Sequence, residues 1–400
     1  MRAGVAIVGG GIMGAWAVLE ASRGADPLAG PAVLFDGDAS DGPELPDCGL
    51  ASEAFVAPEL VGLARRGMRE VAGFETNTGR AVEFGRPGAV VLGAERAEHV
   101  QNSLLERRIE GVDALDGSDL AGKFYGLALD EGEGGLWLPH VAHLDVEMYY
   151  TELLGLARTR GAITRFGTGV SGVRVELGKV VGLETSRGFC ETNRVVVTAP
   201  QYVGLTEMDL GLVSKSVERW RFRAPLVVEE AGCGMESMES LGAGGVGELL
   251  SDPAKVESFF APGEGPVYAH PALVDLGRRF RVWCDPQNGT LVATGCSDDG
   301  RLGGGGRFSS SALELVLERL PFHGDSLEMA LEVEHVELME RESGSPVVSA
   351  VPGVEGLFVA LGLGERGVEL APGLAEGLCQ MIEGQPVAAF DPAVMDLGAL

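Results

Sequence analysis

Four residues at fixed spacing open the chain's chemistry: Gly9, Gly11 and Gly14, then Asp36 twenty-two residues after the last glycine. A glycine at the first position permits a tight turn out of a strand. One at the second lets the backbone approach a pyrophosphate, and one at the third lets a helix pack closely on the sheet. The N–H groups at the start of that helix are a ready anion site. A carboxylate at the end of the next strand accepts the hydroxyls of a ribose and disfavours a 2′-phosphate. Arginines form a second set. Arg279, Arg281, Arg341 and Arg366 carry the planar fork that best holds a carboxylate, and the other reading of each is an exposed or interdomain charge.

The elements that must position the first set can be read around it. Val5–Val8 is an apolar, strand-like run, residues 12–23 continue as a helical pattern, and AVLFD closes a second strand on Asp36. That order of strand, glycine turn, helix, strand and acid marks a dinucleotide-binding βαβ unit. The glycines alone carry little weight. With 61 of them in 400 residues, roughly 1.4 matches to GxGxxG arise by chance, and the chain has four. The others begin at Gly167, Gly242 and Gly362, and only the first match has every flanking element. The match at 242–247 follows a polar stretch and reads as a loop.

The chain is 45% hydrophobic and 22% charged, which is the globular range, and 400 residues suffice for two domains. A net charge of −28 argues against nucleic acid or an anionic membrane as partner. Six cysteines are scattered without a CxxC pair, so neither a disulfide framework nor a zinc site is expected. The first strand begins close to Met1, which leaves no room for a signal peptide and gives a cytoplasmic expectation. The longest apolar stretch, 346–364, is broken by Pro352, Glu355 and glycines and reads as buried strands, not a membrane span.

Helices are predicted at 59–73, 94–109, 310–319 and 371–383. Another is predicted at 145–160, where Asp145 can cap and Gly161 can terminate. Strands are expected as a meander over 162–166, 170–177, 179–185 and 190–198, the last a β-branched run buried on both faces. Further strands are expected at 224–228, 267–269, 278–284, 290–294, 328–340 and 356–362. His140 and His143 could share a metal, but no third ligand completes a set and Pro139 argues for a loop, so no metal is expected. Tyr149, Tyr150, Trp220 and Trp283 are core aromatics or stacking partners.

Four segments resemble the D-amino-acid oxidase, glycine oxidase and sarcosine oxidase superfamily of flavoproteins. They are VAIVGGGIMGAWA at the start, HLDVEMYYTELLGLARTRGA at 143–162, residues 169–199, and PGVEGLFVALGLGERGVELAPGLAEGLCQMIEG at 352–384. The resemblance implies an α/β chain, α+β overall. A Rossmann-like FAD-binding domain would be assembled from 1–85, 138–220 and 345–400, with an antiparallel-sheet substrate domain from 86–137 and 221–344. It implies FAD, with Gly9, Gly11 and Gly14 at the pyrophosphate, Asp36 at the ribose and the Val170 backbone at the adenine. Gly362, Gly364, Gly367 and Val368 would lie by the flavin ring. The covalently flavinylated members carry a cysteine shortly before the terminal segment; residues 335–351 have none, which implies noncovalent FAD.

Three departures fall near the reacting centre. Thr198-Ala-Pro-Gln-Tyr-Val-Gly204 replaces an alanine-alanine-glycine-x-tryptophan-serine motif, and Arg341-Glu-Ser-Gly-Ser-Pro346 replaces threonine-proline-aspartate-glycine. Glu365 and Arg366 stand where the family has histidine-bearing turns. The expected activity is oxidation of a C–N bond in an amino acid or amine by hydride transfer to flavin N5, with Arg341, Arg281 and Arg366 as the substrate-facing cations. Oxidation of a 2-hydroxy acid and a catalytically degenerate FAD-binding subunit are the alternatives. An NAD-linked dehydrogenase fits only the first fingerprint. The expected partner is a small amine or amino acid, with homo-oligomer and partner subunit both open.

Overall fold

The computed structural model describes residues 1–23, 30–37, 45, 49–124, 127–206, 208–223, 271–285, 290–296, 305–306, 312–320 and 330–395. Its first large sheet has six strands in the order Val347–Ala350, Leu357–Leu361, Val195–Val197, Val5–Val8, Ala32–Phe35, Ile163–Arg165. All neighbours run parallel except the first pair. Strands 5–8, 32–35, 195–197 and 357–361 are buried along their whole length. Their unbroken Val, Ile, Leu and Phe runs suit a parallel sheet covered on both faces.

Alternate residues serve alternate cores, as the period of a strand requires. Val5 and Ile7 face helices Ile12–Arg23, Val61–Ala72, Val146–Thr159 and Gly367–Ile382, while Ala6 and Val8 face the antiparallel meander 170–176, 179–185, 188–191. Two of the helices touch backbone to backbone. A Cβ at Gly67 would stand 1.9 Å from the Glu369 carbonyl oxygen, so only glycine fits there.

The 146–159 helix starts and stops as its sequence predicts. Asp145 Oδ1 accepts the Met148 N–H at 2.8 Å, and Gly161 leaves the last turn at φ +90°. The expected four-stranded meander divides differently. Ile163–Arg165 follows that helix and joins the parallel sheet beside Ala32–Phe35. The 190–198 run splits at a turn where Thr192 Oγ1 accepts the Arg194 N–H, sending 188–191 to the meander and 195–197 into the parallel sheet.

A second large sheet pairs, in order, Ala330–Glu340, Val213–Arg223, Thr290–Cys296, Phe280–Asp285, Ala272–Asp275, Ala89–Leu92, Gly135–Leu138 and Asp113–Leu115, with Gly305–Gly306 beside 290–296. Its pairs are antiparallel apart from 272–275 with 89–92. A small third sheet joins 50–51, 142–144 and 84–85. The long strand Val213–Arg223 was not anticipated, because VSKSVERWRFR alternates charge where a strand signal would show apolar residues. The expected strands at 224–228 and 267–269, the 242–247 loop, and Cys48 and Cys233 lie outside the described residues. Among the described residues, no helix is long and apolar enough to cross a membrane.

Candidate functional site

The glycine turn between Val5–Val8 and Ile12–Arg23 is fixed by three different demands. Gly9 has φ +122°, a conformation that L side chains rarely adopt, and a Cβ there would lie 2.4 Å from that of Ala199. A Cβ at Gly14 would lie 1.9 Å from the Gly9 carbonyl oxygen, so the helix can sit on the turn only without a side chain. Gly11 differs: nothing lies within 4 Å of its Cβ position, which leaves the backbone open where a phosphate would approach. Thr198 Oγ1 donates to the Gly9 carbonyl at 2.9 Å and ties the turn to the neighbouring strand.

Asp36 ends the second strand, 1% exposed, and its Oδ2 accepts the Gly10 N–H at 2.6 Å. The carboxylate therefore braces the turn as well as lining the cleft beyond it. Next to it, the Gly37 N–H donates to the Tyr202 hydroxyl at 2.7 Å, and the Gly169 backbone crosses the same point. Val170, 8% exposed, begins the meander one residue on, so Asp36, Val170 and Tyr202 converge at one end of the cleft. Burial, then the Asp36 charge, pushes the Tyr150 hydroxyl up.

One cleft of about 430 Å³ connects this turn to the second sheet. Gly10–Met13, Asp36 and 198–201 line one side; Ser214, 336–339, 361–364 and Gly367 line the other. A glycine cradle at a helix start, a carboxylate beyond it and apolar walls fit a dinucleotide with an extended ring system, as FAD has.

Behind the far wall lies an ionic layer. Gly362 and Gly364 take φ +81° and +59°, and this turn carries Glu365 and Arg366 into the interior before Gly367 and Val368 start the last helix. Below it, Arg219, Thr294 and Arg281 stand opposite one another on three adjacent strands, in one row on one face, with Glu334 opposite Arg219 on a fourth. Arg281 Nε donates to Thr294 Oγ1 at 2.7 Å, and its Nη2 pairs with Glu365 Oε2. Arg219 Nη2 lies 3.9 Å from Glu365 Oε1 and its Nη1 3.4 Å from Glu334. Arg366 Nη2 donates to Glu340 Oε2 at 2.9 Å, and Lys215 pairs with the other Glu340 oxygen. Arg341 follows Glu340 directly, 6% exposed, its carbonyl accepting the Gly344 N–H.

Of the arginines expected to face a substrate, Arg281 and Arg366 stand in this ionic layer, each already opposed by a glutamate, and Arg341 is buried one residue beyond Glu340. Arg279 is elsewhere, in an exposed turn at φ +62°. Lys215, Arg219, Thr294 and Glu340 were not anticipated. The alternation of Lys215, Val217, Arg219 and Arg221 was the available signal for the missed strand. His143 is 2% exposed on the 142–144 strand, and burial lowers its imidazole to a pKa of about 4. Among the described residues, no group of His, Cys, Asp and Glu could hold a metal. Tyr149 meets Phe74 edge-on at 5.2 Å and belongs to the core.

Comparison with known proteins agrees with this geometry. The chain is 27% identical to a D-amino acid dehydrogenase of Cereibacter sphaeroides over 269 residues, covering 64% of this chain and 51% of the relative. It therefore spans about half the length of that curated relative. Solved structures that share its fold include three from different organisms. An L-amino acid deaminase from Proteus vulgaris has a TM-score of 0.75 at 16% identity, covering 100% of this chain and 94% of its own. Glycine oxidase from Geobacillus kaustophilus has 0.74 at 18%, covering 99% and 98%. L-proline dehydrogenase from P. horikoshii has 0.74 at 13%, covering 98% and 97%. The family model described as FAD dependent oxidoreductase (DAO) matches residues 4–381, and the chain belongs to that family.

Proposed function

We propose that this chain binds FAD noncovalently and oxidises the C–N bond of an amine or amino acid. The observation that carries the reading is the cleft running from the Gly9–Gly14 cradle to the second sheet at Ser214 and 336–339. Gly9, Gly11 and Gly14 would hold the pyrophosphate, Asp36 would accept the ribose hydroxyls and the Val170 backbone would meet the adenine. The Gly362–Val368 turn would border the ring. Bound FAD would supply a two-electron acceptor for a hydride from the carbon beside nitrogen, with the N–H proton passing to solvent and water then hydrolysing the imine to a carbonyl and a free amine or ammonia.

The protein's own share of the chemistry is placement. Orienting the donor carbon over the acceptor accounts for most of what such a site must do. The apolar lining from Leu361 and Leu363 excludes water, and the Arg281–Glu365 and Arg366–Glu340 pairs form the charged layer behind it. Relatedness to a D-amino acid dehydrogenase supports a nitrogen-bearing substrate over a 2-hydroxy acid.

The test is the visible spectrum of the purified protein before and after anaerobic addition of pooled amines and amino acids. Yellow protein that bleaches is the expected result, and splitting the pool gives the substrate class. Protein that takes up no FAD overturns the cofactor assignment. Protein that stays oxidised with every amine yet bleaches with 2-hydroxy acids overturns the substrate class.

A further inference from the structure

The Arg219–Thr294–Arg281 row has the form of an anion site: two guanidinium groups and a hydroxyl on one sheet face, all buried. Such a pair matches a carboxylate. The carboxylate it holds belongs to the chain. Glu365, whose side chain is 2% exposed, descends from the turn between the cleft-lining Gly364 and Gly367 and gives one oxygen to Arg281 and the other to the side of Arg219. That second oxygen makes no hydrogen bond among the described residues, so the acid fills the site without completing it.

We propose that Glu365 is the resident anion of this arginine pair and a specificity determinant: it occupies the position of a substrate carboxylate, so that the substrate is an amine carrying no carboxylate there. The inference rests on the C–N oxidation proposed above for the choice of substrate, and on the geometry alone for the anion site. An incoming carboxylate would have to displace a buried glutamate from two cations. An amine without one meets a wall already neutralised at that point.

The test uses the full-length, FAD-saturated protein and its Glu365→Ala variant. Alanine removes the CH2–COO⁻ end of the side chain and opens a carboxylate-sized space in front of both guanidinium groups, and propionate carries that same CH2–COO⁻ end. Propionate raises the melting temperature of Glu365→Ala, while neutral propionamide does not, and neither shifts the wild type. A variant that ignores propionate, or a wild type that responds equally, overturns the anion site.

The second readout is flavin bleaching by a pair of substrates differing only in an α-carboxylate. The wild type favours the decarboxylated amine, and Glu365→Ala moves the ratio of kcat/KM toward the amino acid by about tenfold or more, equivalent to about 1.4 kcal/mol. An unchanged ratio in a folded variant overturns the specificity role. Glu365→Gln, which keeps the side-chain volume and removes its charge, moves the ratio in the same direction and covers an alanine variant that does not fold. Should neither protein bleach with either compound, the proposed activity fails while the propionate response still decides the anion site.

Discussion

The two sides of the cleft are built by opposite means. On the nucleotide side, Gly9, Gly11 and Gly14 form a site by withholding side chains, and its partners Asp36 and Thr198 bond to backbone. On the other side Arg219, Arg281 and Arg366 face Glu334, Glu340 and Glu365 through long charged side chains, most of them buried. The first arrangement depends on shape, since an added methyl group is excluded or admitted by the space around it. The second depends on balance, since each buried charge is stable only while its partner stays.

The largest expected effect tests that balance. Arg281→Met leaves Glu365 in the interior with Arg219 at 3.9 Å as its remaining cation, and should lower unfolding stability by about 3–5 kcal/mol, the usual cost of stranding a buried charge. Adding Glu365→Met should return most of that loss, because two apolar side chains of similar volume can replace a buried ion pair at little cost. Urea unfolding of the three proteins measures both steps. A double variant as unstable as the single one would show that the wall acts by shape after all.

A pair of glycine variants probes the other side. Gly14→Ala drives a Cβ against the Gly9 carbonyl and should cost about 1–3 kcal/mol along with FAD uptake. Gly11→Ala has open space and should keep stability within about 0.5 kcal/mol. It should still weaken FAD at least tenfold, about 1.4 kcal/mol, because its methyl group projects where a phosphate approaches. Melting curves and flavin titration separate the two. Equal loss of stability in both would mean that the cradle is structural and has no bearing on the nucleotide.

The contrast also explains what could be read in advance. The cradle lies within 33 consecutive residues, and each glycine answers a local demand, so its residues and its acid were legible. The ionic wall joins residues 219, 281, 294, 334 and 365 through registers of four strands and one turn, and no local pattern encodes a register. Glu365 and Arg366 stood out as departures from a family motif, yet their pairing did not follow from that. The last helix was expected from Ala371 and begins at Gly367, since Pro372 sits inside its second turn, where a proline read from sequence suggests a beginning.

Acid sensitivity gives a third handle, on the cradle's side of the molecule. His143 has its pKa lowered from 6.5 to about 4 by burial, so between these values the unfolded chain binds a proton that the folded chain does not. Its contribution is therefore fully present above pH 6.5 and is lost as pH falls toward 4, at up to about 1.4 kcal/mol per pH unit. His143→Gln should flatten that part of the stability profile. If the profile is unchanged, the acid response below pH 6.5 arises at other groups.

The smallest expected effect isolates a contact as local as the cradle but remote from any ligand. Asp145 caps the Val146–Thr159 helix through the Met148 N–H, three residues away. Asp145→Ala removes the acceptor while leaving the helix's buried face, with Tyr149, Leu153 and Ala157, intact. The loss should be about 1 kcal/mol by urea unfolding, with FAD affinity and substrate preference unmoved. A contact between near neighbours can be read directly from the chain, and its removal leaves a backbone N–H without its acceptor but strands no charge. The Arg281–Glu365 pair cannot be read that way, and its removal leaves a charge that water cannot reach, so the less legible side of the cleft should also be the more costly to break.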